Sequence, residues 1–332
     1  MTGPYLGIDI GGTKTLAVLV TPAGELVGRT RAPTPARRGP AAVLDTAADL
    51  AGQLLTDGAL AGPVVGVGSA GTIDPGSGTV RYATDALPGW AGTRLAAELA
   101  DRLGRPVRAD NDVRAAALGE YWRGAGRPYR RILLVAVGTG LGAGLVSDGR
   151  VEHGARGAAG AVAHLPTPAA ERLRCGCGRY GHLEAIASGT GLAAGYAQAT
   201  GERVTGVEVA RRATLGDAAA GTVLDRAGEA LGRALAGLLA LLDPEAVLLA
   251  GGAADPLRTR AAEAYAAELL PGWAHVPLLA AALGDDAVAV GAARLAMTAD
   301  AELGTGTGVD LGTGTVADGG LAQGMDPEGR AG

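Results

Sequence analysis

The sequence predicts an α/β protein built from a duplicated unit, and two observations carry that reading. Short apolar runs of strand length alternate with segments of helical spacing along most of the 332 residues. Two pairs of these runs, 5–10 with 15–20 and 132–137 with 143–146, are each divided by a glycine turn and begin about 125 residues apart. Each half therefore opens on a hairpin whose turn is of a size to wrap a phosphate group.

Taken in order, residues 5–10 and 15–20 form the first hairpin around Gly11 and Gly12, and 25–31 supply a third strand. Residues 40–55 follow with helical spacing. Residues 64–68 read as a buried strand, a Gly/Pro-rich stretch runs to Trp90, and 95–103 read as a helix. A short strand at 107–109 runs into Asn111 and Asp112, and an alanine-rich helix covers 113–122. The second hairpin turns at Gly138-Thr-Gly-Leu-Gly142. The region 151–184 is irregular and holds both cysteines and three of the four histidines; a stretch of that kind inside a compact domain is usually functional or braced by metal. Residues 218–242 give the longest helical pattern, equally suited to a core and to an interface. Residues 246–250 read as a buried strand ending at Gly251-Gly252, and 258–270 and 287–297 as two more helices. After Thr298 the sequence turns Gly/Thr/Asp-rich and loses periodicity, which predicts a disordered tail over 301–332.

Composition removes several function classes. Hydrophobic residues make up 48% and charged residues 19%, the balance of a soluble globular chain. The net charge of −5 leaves no basic face for phosphate contacts along a nucleic acid, so no nucleic-acid partner is expected. No apolar run approaches the ~20 residues that cross a bilayer. Nor does a basic region lead an apolar stretch at the N-terminus, so a cytoplasmic protein with no membrane partner is expected. Lys14 is the only lysine, and no Gly-Lys pair occurs, which rules out a Walker A loop. Gly66-Val-Gly-Ser-Ala-Gly71 has dinucleotide-binding spacing, but the turn sequence Thr72-Ile-Asp-Pro-Gly76 stands where a helix must begin. Gly304-Thr-Gly-Thr-Gly308 has no strand before it and reads as linker.

Four constellations carry chemistry. In Asp9-Ile-Gly-Gly-Thr-Lys14 the glycines let backbone approach a polyphosphate, Thr13 adds a donor, and Asp9 could hold a magnesium-bound water; a plain hairpin with an Asx turn fits the same residues locally. A second turn, Val137-Gly-Thr-Gly-Leu-Gly-Ala-Gly144, favours the phosphate reading, because two such turns facing across a cleft grip one triphosphate from both sides. Asn111-Asp112 sits at a strand-to-helix junction, where either residue suits an N-cap. In a cleft between phosphate loops, however, a carboxylate there can take the proton of a hydroxyl attacking the γ-phosphate. Finally, His164, Cys175, Cys177 and His182 could make a complete tetrahedral zinc shell with no open position, hence a structural site; buried free cysteines with solvated histidines fit the same residues, but glycines at 176, 178 and 181 let the loop wrap an ion and favour zinc.

These elements, in this order, resemble the ROK family, the glucokinase-like sugar kinases and sugar-responsive repressors of the actin-like ATPase superfamily. The resemblance covers roughly residues 5–297 and extends to Leu87-Pro-Gly-Trp90, Gly251-Gly252 and Gly284-Asp-Asp-Ala-Val-Ala-Val-Gly-Ala-Ala293. It implies a duplicated ribonuclease H-like fold of two domains about a cleft: a small one of 1–110 with 287–300, and a large one of 111–286 with the zinc loop. It also implies an ATP-dependent kinase that uses Mg2+ with ATP, holds structural Zn2+, and phosphorylates a primary hydroxyl, commonly C6, of a hexose or hexose analogue. Asp112 would be the general base. Asp9, Gly11, Gly12, Thr13 and Lys14 would sit at the γ-phosphate, Gly138, Thr139 and Gly140 at the other phosphates, and Gly251 and Gly252 beside the adenosine. Gly71, Asp85, Asn111, Asp112, His164 and Glu184 would face the acceptor, with His164 also a zinc ligand. The resemblance further implies a homodimer or homotetramer.

Three positions depart from the family pattern. Its Glu-x-Gly-His reads Ala161-Val-Ala-His164, and Ala161 cannot accept hydrogen bonds from acceptor hydroxyls. Such a charge-assisted bond is worth ~1.5–3 kcal/mol. Ala86 replaces the usual Asn before Leu-x-Gly-Trp, with Asp85 beside it, and His182 replaces the last zinc cysteine, which makes the shell formally neutral. The nucleotide-side elements and Asp112 are all present, so the departures predict an altered acceptor: an aminohexose such as kanosamine, whose ammonium Asp85 meets, or a C7 cyclitol. A non-catalytic sugar sensor is the competing reading. A repressor would need a DNA-reading segment before the hairpin that begins at Tyr5.

Overall fold

In the computed structural model, which describes residues 3–55, 64–273 and 275–304, each expected hairpin opens a five-stranded mixed sheet. The first half runs β1 (Tyr5–Ile10), β2 (Lys14–Val20), β3 (Leu26–Pro33), α1 (Pro40–Leu54), β4 (Val65–Ser69), a small hairpin of β5 (Thr72–Ile73) and β6 (Val80–Tyr82), α2 (Leu95–Leu103) and β7 (Val107–Asn111). From α3 (Asp112–Arg123) the second half runs through β8 (Arg131–Val137), β9 (Leu141–Ser147), β10 (Arg150–Val151), α4 (Glu184–Ala187), α5 (Gly189–Thr200), α6 (Gly206–Thr214) and α7 (Ala218–Leu242). It ends with β11 (Ala246–Ala250), α8 (Ala254–Glu268), β12 (Leu278–Ala280) and α9 (Ala287–Gly304).

The strand orders are β3-β2-β1-β4-β7 and β10-β9-β8-β11-β12. In both, the opening strand is antiparallel to the second and parallel to the fourth, so the duplication holds strand for strand. The central strands are covered on both faces, which explains their nearly continuous apolar sequence. Leu6, Ile8 and Ile10 face α1 and α2, while Leu133, Val135 and Val137 face α7 and α8. The other faces meet α9 and α3 respectively.

With no phenylalanine in the chain, close packing along the middle of the molecule comes from glycine and alanine. A β-carbon at Gly66 would fall 1.7 Å from the Ala292 carbonyl oxygen, and one at Gly291 the same distance from that of Ala115. The backbones of β4, α9 and α3 thus touch directly. Helix α7 starts on an Asp217 cap whose carboxylate accepts from Ala219 and Ala220 N–H at 2.9 and 3.0 Å. Its apolar stripe packs into the core against α8, which answers the core-or-interface ambiguity in favour of core for residues such as Leu231, Leu235 and Leu239.

The structure departs from expectation in several places. Helix α8 begins at Ala254, four residues before the reading from Arg258, because Pro256 stands in the first turn, where its missing N–H costs nothing. Helices α5 and α6 were not anticipated. Helix α9 continues past Met297 to Gly304, and Tyr5 donates to Asp300 at 2.7 Å, so the expected tail starts as helix. Residues 305–332, most of that tail, lie outside the described residues. No helix among the described residues is long and apolar enough to cross a membrane.

Candidate active site

Parallel strands direct their carboxyl ends to one edge, and that edge collects the predicted residues. In the first sheet Asp9 lies beside Gly68, and Ser69 beside Asn111. The turn Gly11-Gly12, the turn Ala70-Gly71 and the Asn111-Asp112 junction therefore stand side by side. In the second sheet Ala250 pairs with Ala136, and Gly251, at φ +94°, packs so closely on Val137 that a β-carbon would lie 2.4 Å from its oxygen.

Asn111 settles its local ambiguity by doing two jobs. It caps α3, accepting from Val113 and Arg114 N–H at 3.0 and 3.2 Å, while its amide donates to the Gly71 carbonyl (2.9 Å) and to Asp112 Oδ1 (2.7 Å). Asp112 Oδ1 also accepts from Val113 N–H at 2.9 Å. One carboxylate oxygen is thereby fixed by two donors, and Oδ2 has no hydrogen bond among the described residues. Burial pushes the Asp112 carboxyl up to about 6 despite those donors. Asp9 is pushed higher, to about 7, first by burial and then by the charge of Asp112. Asp9 thus feels the charge of Asp112, and a pair of raised carboxyls at adjoining strand ends is a candidate functional site.

The two turns are held differently. Gly12 lies under Ala86, whose carbonyl oxygen a β-carbon would approach to 2.9 Å. Lys14, expected at the phosphates, is paired with Asp285 at 2.6 Å, and Arg29 with Asp286 at 2.9 Å, which fastens the first hairpin to the turn before α9. The second turn carries no charge of its own. Gly189 N–H donates to the Gly138 oxygen (2.8 Å), the Thr190 hydroxyl to that of Thr139 (2.8 Å), and Leu141 N–H to Glu184 Oε2 (3.1 Å).

Glu184 also receives the Cys175 thiol on Oε1 at 3.5 Å, linking that turn to the histidine–cysteine quartet. The four ligand atoms of His164, Cys175, Cys177 and His182 all lie within 4.8 Å of one another. Cys177 Sγ is 3.3 Å from His182 Nδ1, and Cys175 Sγ 3.9 Å from His164 Nδ1. Zinc with bonds of about 2.0–2.3 Å sets its ligand atoms roughly 3.3–3.8 Å apart, so the donor set fits that ion with little movement. Burial, with the charges of Glu184 and Cys177 added, pushes the Cys175 thiol up to about 11, a cost that a coordinated cation removes.

Among the remaining expected residues, Thr13 and Asp85 are exposed, and Asp85 makes no hydrogen bond or ion pair among the described residues. Ala161 sits at the head of the single turn Val162–His164, its methyl without hydrogen-bonding capacity. Sequence reasoning missed Asp285 and Ser188-Gly-Thr190. It also missed Glu120, fully buried in α3, whose Oε1 accepts from Ala282 and Leu283 N–H at 2.8 and 2.6 Å. An uninterrupted alanine-rich helix that still spends a glutamate is the signal that could have found it.

The ROK family model matches residues 5–299. The chain is 33% identical over 310 residues to the glucokinase of Halalkalibacterium halodurans, covering 86% of this chain and 93% of that protein. It is likewise 33% identical over 306 residues to the N-acetyl-D-glucosamine kinase of Escherichia coli O6:H1, covering 89% and 99%. Among solved structures, the ROK hexokinase of Thermus thermophilus superposes with a TM-score of 0.81 at 33% identity over 92% of this chain and all of that one. A ROK glucokinase of Streptomyces griseus, in complex with glucose and AMPPNP, gives 0.73 at 31% over 89% and all of that chain. This architecture is that of the actin-like ATPases, and the chain belongs to the ROK family.

Proposed function

We propose that this chain, an ATP-dependent sugar kinase, transfers the γ-phosphate of ATP to a primary hydroxyl of a hexose or hexose analogue, with Asp112 as the base. The observation that carries the assignment is the Asp112 carboxylate itself: Oδ1 is fixed by two donors, and Oδ2 has no hydrogen bond among the described residues, at the meeting of three strand ends. With its carboxyl at about 6, Asp112 is largely ionised at pH 7 and accepts the hydroxyl proton as the P–O bond forms. Asp9, Gly12 and Thr13 would stand at the γ-phosphate, and the backbone of Gly138, Thr139 and Gly140 would cradle the rest, with Gly251 and Gly252 against the nucleoside. Asp9 would hold magnesium bound with ATP through water, and that ion would supply charge neutralisation at the phosphates. The small domain, 1–110 with 287–300, and the large domain, 111–286, would close on the two substrates and exclude water.

For the acceptor we infer a sugar or analogue unlike plain glucose. Ala161 and Ala86 leave two positions without the polar groups that the family places there, and exposed Asp85 offers a counter-charge to an ammonium. Glucose is the second reading, favoured by the glucokinases among the relatives. The deciding experiment measures ADP release with ATP and magnesium over glucose, mannose, N-acetylhexosamines, free aminohexoses and carbocyclic analogues. Turnover on an aminohexose or cyclitol that exceeds turnover on glucose, and vanishes in Asp112→Asn, is the expected result. Equal or better turnover on glucose rejects the altered-acceptor reading. Turnover that survives Asp112→Asn rejects the base. Silence with ATP still bound turns the protein into a sugar sensor.

A further inference from the structure

Two residues flank the base on β7 and α3 without any role in the scheme above. Asp110, two positions before Asp112, is 1% exposed, and Arg114, two positions after it, is 5% exposed. Both reach the same piece of chain. His153 Nε2 meets Asp110 Oδ2 at 2.7 Å, and Arg114 donates from one guanidinium nitrogen to the carbonyls of Gly157 and Ala159, the latter at 2.9 Å. Arg114 also lies 3.5 Å from Asp110 Oδ1, which accepts Asn111 N–H at 2.7 Å.

The segment they hold runs from β10 to the turn that carries Ala161 and His164, and residues 152–161 contain no helix or strand. Apart from its own turns, its position depends on these side-chain contacts and on two backbone bonds to β9, Glu152 N–H to the Leu145 oxygen at 2.9 Å and Ala143 N–H to the Gly160 oxygen at 3.0 Å. A loop tied near both ends to the residues on either side of a base is held in register with that base by those ties. We infer that Arg114 is a positioning residue, and His153–Asp110 its second anchor, that together hold the acceptor-facing wall at a fixed distance from Asp112. The inference rests on the kinase reading only for the role of that wall.

The test uses the full chain with Arg114→Lys, which keeps a cation beside Asp110 but lacks the rigid planar group whose one nitrogen aims two hydrogens at the two carbonyls. It adds His153→Ala, at a side chain 28% exposed, and His153→Gln as the conservative rescue. Hydrogen exchange of amides 154–164, followed without substrate, should quicken about tenfold or more in Arg114→Lys and His153→Ala. Exchange in α7 and α8 should stay at the wild-type rate, and His153→Gln should restore most of the protection. With the best acceptor of the panel, the acceptor KM should rise about tenfold while the ATP KM holds. Unchanged exchange at 154–164 overturns the inference, as does an ATP KM that rises as much as the acceptor KM. If the wild type is silent on every acceptor, the kinase reading fails alone, and the exchange rates still decide whether these side chains hold the wall.

Discussion

The turn after β1 and the turn after β8 occupy equivalent places in two sheets of one strand order, yet only the first carries charge. Asp9 and Lys14 bracket the first turn, and Lys14 is already committed to Asp285. The second turn, Gly138 to Gly140, offers backbone alone, and its supports are Glu184, Gly189 and Thr190 from helices that the first half lacks. On the proposed function, a duplicated fold divides the labour of holding a triphosphate: one copy would manage ionic charge and the other would supply a shaped row of amides, each with its own accessory residues.

Breaking the charged turn should do the most harm. Asp9→Asn is expected to lower kcat by about 100-fold, the scale of losing one electrostatic group at a reacting phosphate, with the acceptor KM nearly unchanged in steady-state ADP release. If instead only the ATP KM rises, Asp9 binds nucleotide without tuning the reaction, and the two turns work alike.

Disturbing the backbone turn should cost less. If zinc fills the His164, Cys175, Cys177 and His182 quartet, chelation should release the support that passes through Glu184, lower activity about tenfold and depress Tm, both restored by added zinc; a chelator without effect rejects a metal there. Glu184→Gln keeps an acceptor for Leu141 N–H but loses the charge, so an ATP KM raised roughly threefold at constant kcat is expected. The smallest effect is on stability. The carboxyl of Asp9 is raised from 3.8 to about 7 in the fold, so the native state binds its proton more tightly than the unfolded chain does. That contribution is present at low pH and is lost as pH rises through about 7. Asp9→Asn should therefore raise Tm by a few degrees at pH 8, with the gap closing toward pH 4. No comparable shift attaches to the second turn, so a matching effect from Thr139→Ala would erase the contrast.

Legibility in the sequence followed the range of the interactions. Both hairpins, the Asn111-Asp112 junction and the metal quartet are local patterns, and their residues meet as the pattern demands. Asp285 answers Lys14 across 271 positions, and Glu120 answers Ala282 across 162, and no spacing rule reaches that far. Helix α5 escaped notice because its Gly189-Thr-Gly-Leu start reads as a loop; Ser188, capping Gly191 N–H at 3.1 Å, is what turns it into a helix. Arg114 was hidden by its surroundings, since a charged residue in an alanine-rich helix reads as solvent-facing until the loop above it is in place.

The seam of β4, α9 and α3 has a consequence for anyone wishing to make this protein tougher. Of 57 glycines, those at 66 and 291 sit where a methyl group would collide with a carbonyl at 1.7 Å, so the usual stiffening of the denatured chain by Gly→Ala is closed there. Gly221 and Gly237 on α7 face open space within 4 Å and have ordinary helical backbone. Alanine at those two positions removes disorder from the unfolded ensemble alone, at roughly 0.4–1 kcal/mol each, while a molecule welded backbone to backbone along its middle keeps that line untouched.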